Sequence, residues 1–385
     1  MKKYKNIIVP LTLLIVFFSF QAKSQDINLF VDGVKAYYNQ NYKESVQIFE
    51  EVLSEEPDLE IKIDALYFKT LNHLNLYQPE PAKSEINQLK EMGYEFGLLY
   101  WKLGELYLNK NRKFDSADNE EALKQLKKAK ENGVTSPEFY RDLGLCYKEM
   151  ENYSQAEKYY KLVLKFENTA KDYINLASIY KKTGDLENAI KNYEYALSKD
   201  SEAGVHLELG RMYYNNENYD KAINIYKKGI NIRPNFVAIR FELARTYYKN
   251  SEFEKAINEF EKVVEQNENY YQAYYYLGET YNKKGDFNSA INMYKKALKK
   301  NSNYARAYIS LGNIYLDQEN YYEAITNFSN AIEKNEKNPE AHFSLARTYL
   351  KLGMEEDAIS ELRRTLHLSS EHKQARELLN QLLEE

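Results

Sequence analysis

Cysteine, glycine and proline are scarce in this sequence of 385 residues, which has one cysteine, 14 glycines and 7 prolines. Because Cys146 has no second cysteine to pair with, no disulfide can form within the chain and its stability must come from packing. No stretch rich in proline, glycine or serine separates one half of the chain from the other. Apolar residues recur every three or four positions throughout, which excludes a disordered chain and favours a helical one.

Excess positive charge is also lacking, since the formal net charge is −5. Residues 1–24 contain four lysines and no acidic residue, so the chain without them has a net charge of −9. Binding to nucleic-acid phosphates needs a basic surface, so this balance argues against a nucleic-acid partner.

Long apolar runs are absent apart from one near the N-terminus, "IIVPLTLLIVFFSF", from Ile7 to Phe20. A membrane-spanning helix needs about 20 apolar residues, and this run is shorter. It follows the basic start "MKKYKN" and precedes the small residues Ala22 and Ser24. The pattern predicts a signal peptide over residues 1–24, cleaved after Ser24, and hence an exported, periplasmic or secreted protein with no stable membrane span. An uncleaved membrane anchor is the alternative.

What the sequence does contain is a repeat. A small residue that follows leucine recurs every 33 or 34 residues, at Gly144, Ala177, Gly210, Ala244, Gly278, Gly312 and Ala346. An alanine lies twelve residues after each, at Ala156, Ala189, Ala222, Ala256, Ala290, Ala324 and Ala358. Periods of about 20 to 50 residues are typical of solenoids, in which one structural unit stacks on the next.

One unit, "AYYYLGETYNKKGDFNSAINMYKKAL" from Ala273 to Leu298, illustrates the predicted fold. Its first half has apolar and small residues at the spacing of one helix face, namely Tyr274, Leu277, Gly278 and Tyr281. Gly285 is expected to end this helix in the left-handed conformation, and Asp286 to cap the next. The second helix has an apolar face made of Phe287, Ala290, Ile291, Tyr294, Ala297 and Leu298. Gly278 and Ala290 would let the two backbones approach closely.

These residues resemble the tetratricopeptide repeat family. The match in Ser201–Phe236 consists of Leu209, Gly210, Tyr213, Tyr219, Ala222, Tyr226 and Pro234. The resemblance implies an all-α fold, an α-solenoid of about ten helix-turn-helix repeats that form a right-handed superhelix with a C-terminal capping helix. The expected organisation is a signal peptide (1–24), an N-terminal region of divergent repeats (25–136), a regular array (137–372) and a capping helix (373–385). Within the divergent region, residues 97–136 resemble a longer, Sel-like repeat.

Residues that could support chemistry are few. His206 and His342 occupy the packing position of Tyr274, and Cys146 is expected to be a small buried residue. The acidic stretch "DSADNEE" (115–121) lacks the glycine and alternating oxygen ligands of a calcium loop. The sequence therefore predicts no catalytic residue, metal site or cofactor, and hence a protein that is not an enzyme.

A second stripe runs along the first helices, rotated away from their buried face, and the resemblance implies that it lines the concave side where partner peptides bind. We number its three places in chain order within each repeat. The five regular repeats place there Leu207, Arg211 and Tyr214; Phe241, Arg245 and Tyr248; Tyr275, Glu279 and Asn282; Ile309, Asn313 and Leu316; and Phe343, Arg347 and Leu350. Aromatic residues beside arginine are typical of interface hot spots.

The sequence thus predicts a non-enzymatic scaffold that binds a protein or peptide segment in a groove between about residues 204 and 350, within an envelope or extracellular assembly. Arg211, Arg245 and Arg347 would favour acidic partners. Two alternatives stay open. The stripe is also what a half-buried inner face without a ligand would have, and exposed tyrosines would equally suit a carbohydrate or another envelope polymer.

Overall fold

The computed structural model describes residues 24–108 and 117–384, and within these ranges all regular secondary structure is helical. The predicted signal peptide lies outside the described residues except for Ser24. Most of the long turn of the Sel-like repeat (109–116) also lies outside them. The described part contains 21 helices, which divide into two compact units on either side of the boundary between Lys199 and Asp200.

The first unit consists of five helix pairs. They are α1 (Ser24–Tyr38) with α2 (Tyr42–Ser54), α3 (Leu59–Asn75) with α4 (Pro79–Glu91), α5 (Gly97–Tyr107) with α6 (Asn119–Glu131), α7 (Pro137–Glu149) with α8 (Tyr153–Val163), and α9 (Ala170–Thr183) with α10 (Leu186–Lys199). Each helix packs mainly against its partner, and the pairs stack in chain order. Pro79 opens α4, where a missing backbone N–H costs nothing, so this proline starts a helix.

The second unit repeats this arrangement five times and adds one helix. Its pairs are α11 (Ala203–Asn215) with α12 (Tyr219–Ile232), α13 (Val237–Lys249) with α14 (Phe253–Gln266), α15 (Tyr271–Lys283) with α16 (Phe287–Lys300), α17 (Ala305–Asp317) with α18 (Tyr321–Lys334), and α19 (Pro339–Lys351) with α20 (Glu355–Leu368). The last helix is α21 (Lys373–Glu384). First helices of successive pairs also contact one another, as α11 does α13 and α13 does α15. The predicted all-α solenoid of about ten repeats is confirmed.

The small residues determine how closely the two helices of a pair approach. A Cβ atom added to Gly278 would lie 2.5 Å from Cε1 of Tyr294, and one added to Gly312 would lie 2.5 Å from Cε1 of Phe328. Tyr294 and Ala290 are fully buried. The predicted role of Gly278 in close helix packing is therefore confirmed, because a Cβ atom at this position would overlap with the Tyr294 ring.

The turn inside each pair has a left-handed residue. Gly285 has a φ of 80°, as predicted, and Asp286 caps α16 by accepting a hydrogen bond from the Ser289 N–H at 3.0 Å. Every other turn of this kind in the described residues has positive φ at the same position, although most lack glycine there. The residues concerned are Gln40, Tyr77, Glu151, Glu217, Ser251 and Glu319, besides Gly184 and Gly353. Left-handed backbone is unfavourable for side chains other than glycine, a strain that the sequence pattern does not reveal.

Two packing predictions are wrong in detail. Phe287 is 42% exposed although it was assigned to the apolar face of its helix, because it is the first residue of α16 and lies at the turn end of the pair. In the capping helix α21, Ala375 and Leu379 are buried against Phe343 and its neighbours, as expected. Leu383, assigned to the same face, is 57% exposed in the last turn of α21.

Candidate functional site

The predicted stripe lies on the first helices α11, α13, α15, α17 and α19, all within the second unit. Its first place is more buried than a docking surface requires. Four of the five first-place side chains are less than a tenth exposed, namely Leu207, Phe241, Ile309 and Phe343. Tyr275 is half-buried, and burial raises its pKa well above the usual range of a phenol.

Part of the cover over Phe241, Tyr275 and Phe343 comes from the residue that precedes the next first helix or the capping helix. Tyr270, immediately before α15, packs its ring 4.9 Å from that of Phe241. Tyr304, immediately before α17, lies 5.1 Å from Tyr275. His372, immediately before α21, lies 4.6 Å from Phe343. We call Tyr270, Tyr304 and His372 the covering residues; they make the first place part of the packing between repeats, so its direct role in binding stays a prediction.

Polar contacts at the second place lie both within a repeat and between repeats. The Glu242 carboxylate, 7% exposed, lies between two arginines. Arg211 approaches Oε1 of Glu242 through Nε at 3.1 Å and Nη2 at 3.0 Å, while Arg245 donates from Nη1 to Oε2 at 2.8 Å. Arg211 also lies 3.3 Å from Glu208. The positive charges of Arg211 and Arg245 are therefore largely compensated within the protein.

Aromatic rings surround Arg245. Its guanidinium lies 5.2 Å from the ring centroid of Tyr214, 5.5 Å from that of Tyr276 and 5.9 Å from that of Phe241. The Tyr276 ring is stacked on Phe260 at 5.7 Å and meets Tyr248 edge to face at 6.0 Å. Tyr276 and Glu242 were not among the predicted site residues; both occupy the position directly after the first place. The sequence did contain an indication of this position, because Glu208 and Glu242 are charged residues that directly follow the apolar first-place residues of their repeats.

The tyrosines at the third place border this cluster. Tyr214 and Tyr248 are half-buried, which leaves part of each ring open to solvent. Burial, followed by the charge of Glu279, raises the pKa of Tyr248 to about 12, and burial also raises the pKa of Tyr214. Both phenols are thus protonated at neutral pH and can donate a hydrogen bond to a ligand. We call Arg211, Tyr214, Arg245, Tyr248 and Tyr276 the arginine–tyrosine cluster.

The remaining second places differ in their partners. Glu279 accepts hydrogen bonds from the Tyr294 hydroxyl at 2.6 Å and from the Ser310 hydroxyl at 2.8 Å. Asn313 is half-buried, and Arg347 is exposed with its guanidinium 6.0 Å from the ring of Phe343. Among the described residues, no carboxylate lies within ion-pair distance of Arg347. The third places Leu316 and Leu350 are buried and half-buried.

Residues that could carry chemistry are dispersed. Cys146 is buried, and burial raises the pKa of its thiol to about 11. His206 and His342 are buried, and Nδ1 of His342 lies 2.6 Å from Oε2 of Glu361. Over residues 24–108 and 117–384, no group of three or more histidine, cysteine, aspartate or glutamate side chains is arranged to hold a metal ion. Over the same ranges, none of the helices has the length and apolarity needed to traverse a bilayer.

Three family models match parts of the chain. The model described as tetratricopeptide repeat matches residues 137–169. The model for subunit 3 of the anaphase-promoting complex, or cyclosome, matches residues 182–263. The model for the C-terminal ARM domain of tetratricopeptide repeat protein 21 matches residues 252–381. A search of curated proteins gives no match.

Two solved structures with TM-scores above 0.5 share this fold. The C-terminal part of a repeat-containing protein from Cytophaga hutchinsonii is 22% identical, with a TM-score of 0.55 over 64% of this chain and 99% of that one. A tetratricopeptide repeat protein from Parabacteroides merdae is 16% identical, with a TM-score of 0.51 over 64% of this chain and 98% of that one. A crystal structure of MamA is 28% identical, with a TM-score of 0.40 over 42% of this chain and 95% of that one.

Proposed function

The chain belongs to the tetratricopeptide repeat family, and on that premise we propose that it is an exported, non-enzymatic scaffold that binds a protein or peptide segment on the first helices of its second unit. Its place would be an envelope or extracellular assembly. Export is supported by the sequence of residues 1–24. Mass spectrometry of the protein from its native cells tests it, since the mature chain should begin at Gln25, and a chain that begins at Met1 would contradict cleavage.

The observation that carries the binding proposal is the arginine–tyrosine cluster. Arg211 and Arg245 are held in place by Glu242, and Arg245 is further fixed by three rings, yet the Arg211 and Arg245 side chains remain 42% and 27% exposed. Side chains already held in one conformation lose little entropy when a ligand binds. Arginine and tyrosine are also the residue types that contribute most to protein interfaces.

Because Glu208 and Glu242 compensate Arg211 and Arg245, this cluster favours partners through stacking and directed hydrogen bonds more than through net charge. A guanidinium plane and protonated phenols suit aromatic side chains and backbone carbonyls of an extended segment. We therefore propose that the bound segment is a peptide with at least one aromatic or aliphatic side chain that anchors it.

The test uses cross-linking in the native cells to identify a partner, followed by affinity measurements with purified mature protein. Tyr214→Ala with Tyr248→Ala should weaken binding at least tenfold, because each hot-spot residue contributes about 2 kcal/mol or more. Tyr322→Ala is the matched control, because this tyrosine is 76% exposed on a second helix. Unchanged affinity in the double variant would contradict the proposal, as would binding confined to glycans.

A further inference from the structure

The three second-place arginines differ in whether the protein neutralises them. Arg211 and Arg245 both contact the Glu242 carboxylate. Arg347 is exposed and, among the described residues, has no carboxylate within ion-pair distance. The acidic residue on its own helix, Glu340, lies two turns earlier, and its carboxylate is 3.8 Å from Nε2 of His372. The charge of Arg347 is consequently available to a ligand.

The contacts between repeats have a fixed register. The second place of one repeat meets the residue that follows the first place of the next, as Arg211 meets Glu242 and Glu279 meets Ser310. By this register Asn313 is expected to lie beside Ser344 of the next repeat, although no hydrogen bond joins the two side chains. The Ser344 hydroxyl is buried without a hydrogen-bond partner, and the half-buried Asn313 amide has no partner among the described residues.

These groups lie on the first helices of two successive repeats, α17 and α19. Ser344 and Arg347 are three residues apart on α19 and therefore lie on the same helix face. A buried hydroxyl without a partner destabilises a protein, so a bound group that turns the Asn313 amide toward this hydroxyl would be favoured. Between α11 and α13, the equivalent position already contains a carboxylate. It belongs to Glu242, and Arg211 contacts it through two nitrogens.

We propose that Asn313, Ser344 and Arg347 form a subsite for one side-chain carboxylate, from aspartate or glutamate, of the segment that the scaffold binds. This inference rests on the proposed function and adds an acidic residue to the partner. Arg347 donates to the carboxylate through its guanidinium, a geometry that suits two parallel hydrogen bonds. Asn313 donates its amide N–H to the same ligand and accepts from the Ser344 hydroxyl through its carbonyl, so the buried hydroxyl gains a partner without touching the ligand.

The experiment uses an array of random dodecapeptides with amidated C-termini, probed with the mature protein. Bound peptides should be enriched in aspartate or glutamate at one position relative to an aromatic or aliphatic anchor. Replacing that residue with asparagine or glutamine should weaken binding by the wild type about tenfold, the factor of one charge-assisted hydrogen bond. The Arg347→Gln variant should bind the acidic peptide about tenfold more weakly than the wild type does. The same replacement in the peptide should not weaken its binding to this variant further.

Two further variants complete the design. Arg364→Gln removes the same charge from an exposed arginine on the second helix of the same repeat, and should bind like the wild type. Ser344→Ala should reduce the preference for the acidic peptide without lowering thermal stability, because the hydroxyl that it removes has no partner in the free protein.

The possible outcomes separate the two proposals. Peptides that bind without any acidic preference would overturn the subsite and leave the scaffold intact, as would a preference lost equally in Arg364→Gln. Binding that requires a free C-terminal carboxylate in place of the side chain would also overturn it. If no peptide binds, the proposed function fails and the subsite fails with it.

Discussion

Replacing Gly278 with alanine tests the close packing between the two helices of one pair. The new methyl group would lie 2.5 Å from Cε1, 2.6 Å from Cδ1 and 3.0 Å from Cζ of Tyr294, so the ring or the helix must shift. Tyr294 is fully buried and its hydroxyl donates to Glu279 at 2.6 Å, which leaves the ring little freedom to move. Overpacking of this kind costs about 1–3 kcal/mol, whereas alanine gains up to about 1 kcal/mol over glycine in helix propensity. We expect a net loss of about 1–2 kcal/mol.

The measurement is urea denaturation of the mature protein followed by helical circular dichroism. Gly204→Ala is the control, because no atom lies within 4 Å of a Cβ added there, and its midpoint should stay the same or rise. Among the repeats with alanine at the position of Gly278, that of Ala346 has the smaller Leu362 at the position of Tyr294, whereas those of Ala177 and Ala244 keep the rings of Tyr193 and Phe260. In a Tyr294→Leu background, Gly278→Ala should therefore lose most of its effect, as a double-mutant cycle would detect. A Gly278→Ala protein as stable as the wild type, or an equal loss in both backgrounds, would refute the steric argument.

Three other perturbations follow from particular residues. Glu319→Gly should raise stability by about 1 kcal/mol and Gly285→Ala should lower it similarly, because both positions have left-handed backbone; denaturation midpoints that move the other way would contradict this. Burial, with the charge of Glu60 second, raises the pKa of Asp64 to about 6, so the folded state disfavours its ionised form. Asp64→Asn should therefore stabilise the protein at pH 7, by at most about 3 kcal/mol, and this gain should vanish as the pH falls from 6 to 4. The Cys146 thiol should react with an alkylating reagent at pH 8 much more slowly in the native protein than in urea, because burial raises its pKa to about 11; equal rates would contradict its burial.

Much of the fold could be predicted from the sequence because its determinants are local and repeated. The contact between Gly278 and Tyr294 involves residues of one helix pair, and the spacing of small and aromatic residues is sufficient to identify it. The turn at Gly285 was predicted for the same reason. The left-handed conformation at Glu319 was not, because glutamate carries no residue-type signal for positive φ.

The candidate site was harder to predict because its contacts join different repeats. Phe241 reads as an exposed anchor within its own repeat, but Tyr270 from the next repeat covers it. Arg211 reads as a free positive charge until Glu242 is placed beside it. The two residues of each pair are distant in sequence, and helix periodicity alone does not show which positions of two successive repeats are in contact.

The covering residues also bear on how such an array could grow or shrink. The helix pair is the visible repeat, yet the packing around Phe241 includes Tyr270, and the packing around Phe343 includes His372, which precedes the capping helix. A duplication cut at the end of a second helix would separate a first-place residue from its cover. A duplicated segment keeps this contact only if it ends after the covering residue, so the unit of duplication would be offset from the helix pair.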